Sequence, residues 1–239
     1  MKSTATLLRE CFPSEAALCA AFLATVPATW TAYAETAGWD LLLVHNLTGE
    51  QVGVQAKLVC NPKVILQAVE GRWDRKGPDY RAVLVPSSGA LGELAEYIGV
   101  AVMTPGDLRA TWFGPALPGD DLCIERRWHN WCPDKRHALP AYVPDVAAGA
   151  SGPVQLTDWK IRAMRIAITL ELRGYVTRDD FRRHGIDHRR WFTTGGGWLA
   201  RDEHGRFVRG PSFPDFQAQH PRVYMEIKAE SDTWMQEAK

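Results

Sequence analysis

Three segments with the composition of β-strands follow one another near the start of the chain, between two segments of helical character. They are TWTAYAE (29–35), WDLLLVHN (39–46) and QVGVQAKLVC (51–60), and each is rich in aromatic and β-branched residues. The four residues LTGE between the second and third segments include Gly49, which suits a tight turn. The sequence therefore predicts a sheet that begins as an antiparallel meander.

Helical and strand-like segments alternate on both sides of this meander. A helix that Ser14 can cap is predicted before it, over 14–26. A helix over 62–71, a strand over 79–88, a helix over 91–99 and a strand over 100–104 are predicted after it. Because strands joined by helices pair in parallel, the expected fold class is α/β, a mixed sheet flanked by helices.

The third strand places unusual residues on one face. Alternation puts Gln51, Gly53, Gln55 and Lys57 on one side, opposite an apolar set. If residues 47–50 form a symmetric turn, paired residue numbers sum to 97. Asp40 then faces Lys57 and Leu42 faces Gln55, whereas a one-residue bulge at Gly49 would change this register.

An acid, an amide and a lysine would thus gather at one end of the hairpin, and Glu35 would join them from the preceding strand. The oxygens of Asp40, Gln55 and Glu35 suit Mg²⁺, with Mn²⁺ as an alternative, and Lys57 would orient or deprotonate a water. The simpler interpretation is a solvated salt bridge between Asp40 and Lys57.

The segment ETAGWDLLLVHNLTGEQVGVQAKL resembles the signature of the PD-(D/E)XK phosphodiesterase superfamily, which has the restriction-endonuclease-like fold. The resemblance spans about residues 10 to 105 and rests on Asp40 and the triplet 55–57, in the variant that has Gln as the second ligand. It implies that Asp40 and Gln55 bind a metal ion or its water, that Lys57 is the catalytic lysine, and that Glu35 is an additional acid. It also makes Glu15, in the first helix, a further candidate.

Two departures from the family pattern bear on activity. No proline precedes Asp40, and Gln55 stands where most members have a carboxylate. The resemblance implies a metal-dependent endonuclease that hydrolyses phosphodiester bonds in DNA. Because some members of the superfamily are no longer catalytic, the alternative is an inactive nuclease fold that serves as a DNA-binding, regulatory or interaction protein.

The remainder of the chain reads as a connection and a second module. Residues 106–156 are rich in Pro and Trp and are interpreted as a linker or an extension of the nuclease-like domain 1–105. Three helices are predicted over 157–174, 176–185 and 186–196, and a hairpin over 197–210. This order predicts a smaller, winged-helix-like DNA-binding domain over 157–239, with the hairpin as its wing.

Charge supports a nucleic-acid partner only when it is resolved by region. The chain has 28 basic and 28 acidic residues, but residues 158–210 carry twelve basic residues, eleven of them Arg, against seven acidic ones. Arginine binds phosphate with two hydrogen bonds and reads guanine edges. The predicted contacts with DNA, or with RNA as an alternative, are Arg182, Arg183, Arg189, Arg190 and Arg206. A solvated, Arg-rich surface is the simpler interpretation.

The remaining signals concern compartment and metals. Five cysteines without a CxxC pair predict free thiols, and no apolar run or signal-peptide core is found, so a cytoplasmic protein without a membrane partner is expected. A homodimer is left open. The grouping Cys123, His129, Cys132 and His137 matches no zinc pattern and is set aside.

Overall fold

The computed structural model describes residues 7, 10–119, 127–149, 155–193 and 197–236. These residues fall into two compact units. Unit 1 comprises the described residues up to Leu139 together with 146–149, and unit 2 comprises 140–145 together with the described residues from 155 onward. Within the described residues, no helix has the length and apolar character needed to cross a bilayer.

Unit 1 begins with a helix, three strands and a second helix, as the sequence pattern predicts. Helix α1 (Glu15–Leu23) is capped by the Ser14 hydroxyl, which accepts the Ala17 N–H at 3.1 Å. The later elements are β1 (Trp30–Thr36), β2 (Trp39–His45), β3 (Gln51–Ala56), α2 (Pro62–Val69), β4 (Tyr80–Leu84), α3 (Ala90–Tyr97), β5 (Ala101–Pro105) and β6 (Phe113–Gly114).

These strands form one mixed sheet in the order β1-β2-β3-β4-β5-β6. The first three pair antiparallel, β3, β4 and β5 pair parallel, and β6 is antiparallel to β5. Helix α1 packs on one face, against Leu41, Leu43, Val52, Val54 and Ala56. Helices α2 and α3 pack on the other face, against Leu42, Val44, Val83 and Val102. The predicted α/β class, a mixed sheet flanked by helices, is confirmed.

The register of the β2–β3 hairpin differs from the prediction. Leu41 faces Val54, so paired residue numbers sum to 95 and not to 97. Beyond Leu41 the pairing of the two backbones stops, and the carboxylate of Asp40 accepts the backbone N–H of Ala56. The expected pairs, Asp40 with Lys57 and Leu42 with Gln55, are therefore wrong.

The turn explains this shift. The N–H of His45 donates to Glu50 at 2.8 Å and the N–H of Gly49 donates to His45 at 2.9 Å, so the loop is 46–49 and not 47–50. Gly49 adopts a left-handed φ of 70°, which suits glycine. Asn46 donates its backbone N–H to Thr29 at 2.8 Å, and this bond to the chain before β1 removes it from the hairpin ladder.

The described part of 106–139, expected to be a linker or an extension of the core, packs in unit 1. Its N–H and C=O groups bond to the sheet and to the loop before β4. The backbone N–H of His137 donates to the Gln51 side chain at 2.9 Å, and Trp131 donates to the Asp79 carbonyl at 2.8 Å. Asp79 also binds Arg136 through two hydrogen bonds. These contacts cover the end of the sheet where β3 and β4 begin.

Unit 2 contains three helices followed by a short hairpin and then a helical end. Its elements are α4 (Asp158–Arg173), α5 (Arg178–Arg183), α6 (Arg190–Thr193), β7 (Leu199–Arg201), β8 (Phe207–Arg209), α7 (Phe216–Gln219), α8 (Pro221–Ala229) and α9 (Ser231–Gln236). Residues 194–196, which end the predicted third helix, lie outside the described residues. The helices after residue 210 were not predicted.

Aromatic side chains fill the core of unit 2. Trp191 of α6 is fully buried and meets Phe181 of α5 edge to face, with 5.0 Å between ring centroids. Val176, between α4 and α5, pairs with Phe207 of β8 through two backbone hydrogen bonds of 2.8 and 2.9 Å. The hairpin β7–β8 is thereby tied to the chain between the first two helices.

Candidate functional site

Asp40 lies where β2 and β3 begin to separate. Its Oδ2 accepts the backbone N–H of Ala56 at 2.7 Å, a donor that the β2 backbone would otherwise bind. Ala56 is the last residue of β3, and Lys57, directly after it, donates its backbone N–H to Leu84 of β4 at 3.0 Å. The carboxylate of Asp40 is thus fixed at the same strand end from which the side chain of Lys57 departs.

Lys57 is paired with the first helix. Its Nζ lies 2.6 Å from Oε2 of Glu15, and both side chains are partly exposed. Glu15 occupies the first turn of α1, directly after the capping serine. An acid beside a helix N-cap complements the helix dipole, so its position in the sequence alone does not single out Glu15.

Glu35 enters the same region with an unusual backbone. Its φ is 49°, a left-handed value that is uncommon for a glutamate, and Ala37 and Gly38 follow with φ of 55° and 85°. Oε1 of Glu35 accepts the backbone N–H of Gly149 at 2.8 Å. Gly149 also lies against the backbone of Glu15 at the start of α1, so the segment 146–149 holds this part of unit 1 together.

Glu15, Glu35, Asp40 and Lys57, which we call the charged cluster, influence one another electrostatically. Burial raises the pKa of Asp40, and the Ala56 N–H and the charge of Lys57 oppose this shift. Burial also raises the pKa of Glu35, against the hydrogen bond from Gly149. The buried thiol of Cys19 reports the shared field, since burial and then the charges of Asp40, Glu35 and Glu15 raise its pKa to about 12.

Gln55 makes different contacts from the rest of the predicted site. It is 7% exposed, and its Nε2 donates to the Gly38 carbonyl at 2.8 Å. It lines a cavity of about 550 Å³ together with residues of α2 and the loop that follows α2, and no member of the charged cluster lines this cavity. The structure therefore brings Asp40, Glu35 and Lys57 together, adds Glu15 to them, and directs the amide of Gln55 to Gly38.

The charged cluster suits a hard cation by its chemistry. Among the described residues no three His, Cys, Asp or Glu side chains are gathered closely enough to enclose an ion. Mg²⁺ does not require such a cage, because it is usually bound by one or two carboxylates, several waters and the phosphate of a substrate. In the contacts above, each carboxylate of the cluster uses one of its two oxygens. The second oxygen of two such carboxylates would be enough for a site of this kind.

His129, Cys132 and His137, part of the grouping that matches no zinc pattern, do not form a metal site among the described residues. Cys123 lies outside the described residues. His129 packs edge to face on Trp131, and His137 bonds through its backbone to Gln51. Cys132 is exposed and hydrogen-bonds to Asn130.

The five arginines predicted to bind nucleic acid occupy three parts of unit 2. Arg182 and Arg183 end α5 and lie 3.1 Å from Asp179 and 3.9 Å from Asp180, respectively. Arg189 and Arg190 are exposed at the start of α6. Arg206, in the hairpin, binds Asp202 at 2.7 Å and lies over the ring of Tyr175. The acidic neighbour of each paired arginine offsets part of the positive potential that the arginine would otherwise present to a phosphate.

Sequence reasoning missed a second basic group in unit 2. The charges of Arg165, Arg183 and Arg162 all act on His184, which is 8% exposed. Burial and these charges lower its pKa to about 4. Arg162 and Arg165 are three residues apart in α4 and therefore lie on one face of that helix. This spacing was the signal in the sequence.

Comparison of this chain with protein-family models, with curated proteins and with solved structures gives no match. The functional interpretation therefore rests on the geometry of the charged cluster and of unit 2.

The raised pKa of Asp40 has a measurable consequence for stability. We expect Asp40→Asn to raise the free energy of unfolding of unit 1 at pH 7, because the folded site disfavours the ionised acid while an amide oxygen can still accept the Ala56 N–H. The gain should disappear as the pH falls below the unfolded value of about 3.8, where the acid is protonated in both states. Hydrogen exchange of β2 and β3 across this pH range measures it.

A matched control has the opposite sign. The hydrogen bonds from Thr111 lower the pKa of Asp107, so Asp107→Asn should lose stability at pH 7. If both substitutions lower the stability of unit 1, the site at Asp40 does not disfavour negative charge.

Proposed function

We propose that unit 1 is a metal-dependent phosphodiesterase of the restriction-endonuclease-like class, acting on DNA as an endonuclease. The observation that carries the proposal is the charged cluster: an aspartate fixed at the point where two strands separate, with a lysine at the end of the second strand and an acid from the first helix 2.6 Å from that lysine. The order helix, three antiparallel strands, helix, parallel strand supports it, since this is the core that the sequence resemblance implies.

The residues of the cluster have separable roles in this proposal. Asp40 and Glu35 would hold the metal ion, with Glu15 as a further acid. The metal supplies stabilisation of the charge that develops on the phosphate. Lys57 would orient the attacking water with its ammonium group, which Glu15 holds in position, and the proton that the water releases would pass to bulk solvent. Partial burial of Asp40 shields its carboxylate from solvent, which would strengthen its interaction with a cation.

Unit 2 would position the nucleic acid. Its order of three helices and a hairpin supports a winged-helix-like reader, with the exposed arginines at the start of α6 nearest to the DNA. Because most of the affinity would come from phosphate contacts, binding should weaken steeply as salt is added.

The arginines of α6 allow this to be measured. We expect the double substitution Arg189→Ala and Arg190→Ala to lower the slope of log affinity against log salt by about two, one for each lost phosphate contact. Fluorescence anisotropy of a labelled duplex over a range of salt concentrations gives the slope. Arg222→Ala in α8, which removes an arginine paired with Glu226, is the control that should leave the slope unchanged. Equal slopes for wild type and the double variant would remove α6 from the interface.

The catalytic proposal is tested with supercoiled plasmid. Incubation of the wild-type chain with Mg²⁺ or Mn²⁺ should produce nicked or linear product, and a chelator should prevent it. One observation favours a second candidate, a non-catalytic DNA-binding protein: an amide stands at position 55, and it bonds to Gly38. Retarded plasmid in a gel without any product, at both metals, would favour that candidate and oppose the endonuclease.

A further inference from the structure

The cavity that Gln55 lines is a feature of unit 1 that the proposed chemistry does not use. Its volume is about 550 Å³, within the roughly 300–1,000 Å³ typical of small-ligand sites. Gly38 and Trp39 form the side towards the β1–β2 turn, and the end of α2 with the loop after it forms the other side. Gln55 is followed directly by Ala56, whose backbone N–H binds Asp40, so the cavity adjoins the charged cluster.

The lining of this cavity has little net charge. Glu70 and Asp74 are balanced by Lys76 and Arg81, and the amides of Gln55 and Gln67 add both donors and acceptors. Neither an anion nor a cation is favoured by such a lining. It suits a neutral, planar ligand that has hydrogen-bond donors and acceptors on one edge, which is the description of a nucleobase.

Two buried polar atoms of the lining residues have no hydrogen-bond partner in the described part of the chain. They are Oε1 of Gln67 and Nε of Arg81. Nη1 of Arg81 donates to the carbonyls of Ala68 and Glu70 at the end of α2, and the guanidinium lies over the ring of Trp131. These contacts hold the side chain of Arg81 in one position. Gln67 is half-buried, and rotation of its amide would bring it towards a ligand in the cavity. A buried acceptor without a partner is a strong reason to expect a ligand, because such atoms are costly.

The loop beside the cavity carries an exposed aromatic ring. Trp73 is 86% exposed, and Arg72 lies over its ring at 4.8 Å. Trp73 stands between Gly71 and Asp74, which both line the cavity. An exposed indole next to cationic side chains is the combination on which unstacked bases pack.

We propose that this cavity receives an unstacked nucleobase of the bound nucleic acid, with Gln55 and Gln67 contacting its edge and Trp73 stacking on a neighbouring base. The inference rests on the proposed function, since it places the base next to the phosphate that the charged cluster would hold. It also gives position 55 a role that an amide performs better than a carboxylate, because an amide both donates and accepts.

The test compares two probes in the presence of a chelator, so that no cleavage occurs. One probe is a short labelled single-stranded DNA, and the other is an abasic strand of the same length and charge. We expect the wild-type chain to prefer the strand with bases, and Gln67→Ala and Trp73→Ala each to reduce that preference about tenfold while leaving the affinity for the abasic strand unchanged. Fluorescence anisotropy measures both affinities.

The matched controls are exposed apolar side chains on the neighbouring helices. Leu66→Ala, one residue from Gln67 in α2, and Tyr97→Ala, an aromatic that is 90% exposed at the end of α3, should keep the preference of the wild type. Since Trp73 is on the surface, its replacement should not unfold unit 1, and thermal unfolding verifies this.

The outcomes separate the two proposals. Equal affinity of the wild-type chain for both strands, or an equal loss for both strands in the variants, would overturn the base pocket. Plasmid cleavage together with no preference for bases would contradict the pocket alone. A preference for bases that depends on Gln67 and Trp73, without any cleavage by the wild type, would support the pocket and oppose the endonuclease.

Discussion

Replacement of Lys57 by methionine should reduce the rate of Mg²⁺-dependent plasmid cleavage by about a hundred- to a thousandfold, the range for loss of one hydrogen-bond donor to the charge that develops in the transition state. Methionine keeps the length and much of the apolar stem of lysine but removes the ammonium group that lies 2.6 Å from Glu15. The rate of appearance of nicked product, with enzyme in excess over plasmid, measures the effect. The affinity for DNA should change little, because in the proposed function unit 2 would supply most of it.

The matched control is Lys63→Met, which removes an exposed lysine from the first turn of α2 in the same unit. This variant should cleave at the wild-type rate. A purely structural salt bridge would behave differently: Lys57→Met and Glu15→Gln would then lower the stability of unit 1 by similar amounts, and both would retain full cleavage. That pattern would remove Lys57 from the reaction.

Much of unit 1 was predictable because its boundaries are marked by local chemistry. Ser14 caps α1 through a bond to a residue only three positions away, and Asn61 does the same for α2 with Pro62 directly after it. Strands β1, β2 and β3 are separated by turns that contain glycine. Signals of this kind require no knowledge of the rest of the chain.

The hairpin register was not predictable from the hairpin alone. The backbone N–H of Asn46 bonds to Thr29, and its side chain bonds to Thr31 and to the carbonyl of Ala28. These partners lie in β1 and in the residues before it, so a comparison of two strands could not detect them. A third strand therefore decided where the turn begins, and with it which residues pair across the hairpin.

The candidate site likewise combines residues that local patterns point to and contacts that only the folded chain creates. Alternation along the strands made Asp40 and Lys57 candidates through a register that is wrong, and both residues are fixed instead by neighbours at the end of β3. The hydrogen bond from Gly149 to Glu35 joins residues 114 positions apart, and no periodic pattern predicts it. Gln55 was grouped with Lys57 because the two share parity, but β3 ends at Ala56, and beyond that point parity no longer determines the face on which a side chain lies.

The end of the chain contained signals that were overlooked. The carboxylate of Asp215 caps α7 by accepting the N–H of Ala218 at 2.8 Å, and Pro221 occupies the first turn of α8. Both are the usual markers of a helix start. Asp145 adds a contact from outside this region, since it accepts the N–H groups of Arg222 and Val223 at the start of α8.

The stability of unit 2 should fall by about 3 kcal/mol between pH 6.5 and pH 4 through His184 alone. Burial, followed by the charges of Arg165 and Arg183, lowers the pKa of His184 from 6.5 to about 4. The unfolded state therefore binds a proton in this interval that the folded state does not, so acid favours unfolding. The contribution is complete above pH 6.5 and is lost as the pH falls through the interval. Hydrogen exchange of α4 and α5, corrected for the intrinsic rate at each pH, measures the opening of unit 2 separately from unit 1.

His184→Gln should remove most of this slope, because glutamine is neutral at every pH in the interval. Part of the slope should remain, since burial also lowers the pKa of His220, although Asp145 at 3.0 Å opposes that shift. His204→Gln, in the exposed turn of the β7–β8 hairpin, is the matched control and should keep the wild-type slope. The same slope for wild type and His184→Gln would mean that the arginines of α4 and α5 do not act on a buried, neutral imidazole. Unit 2 would then lack the concentrated positive field that its proposed binding to phosphate requires.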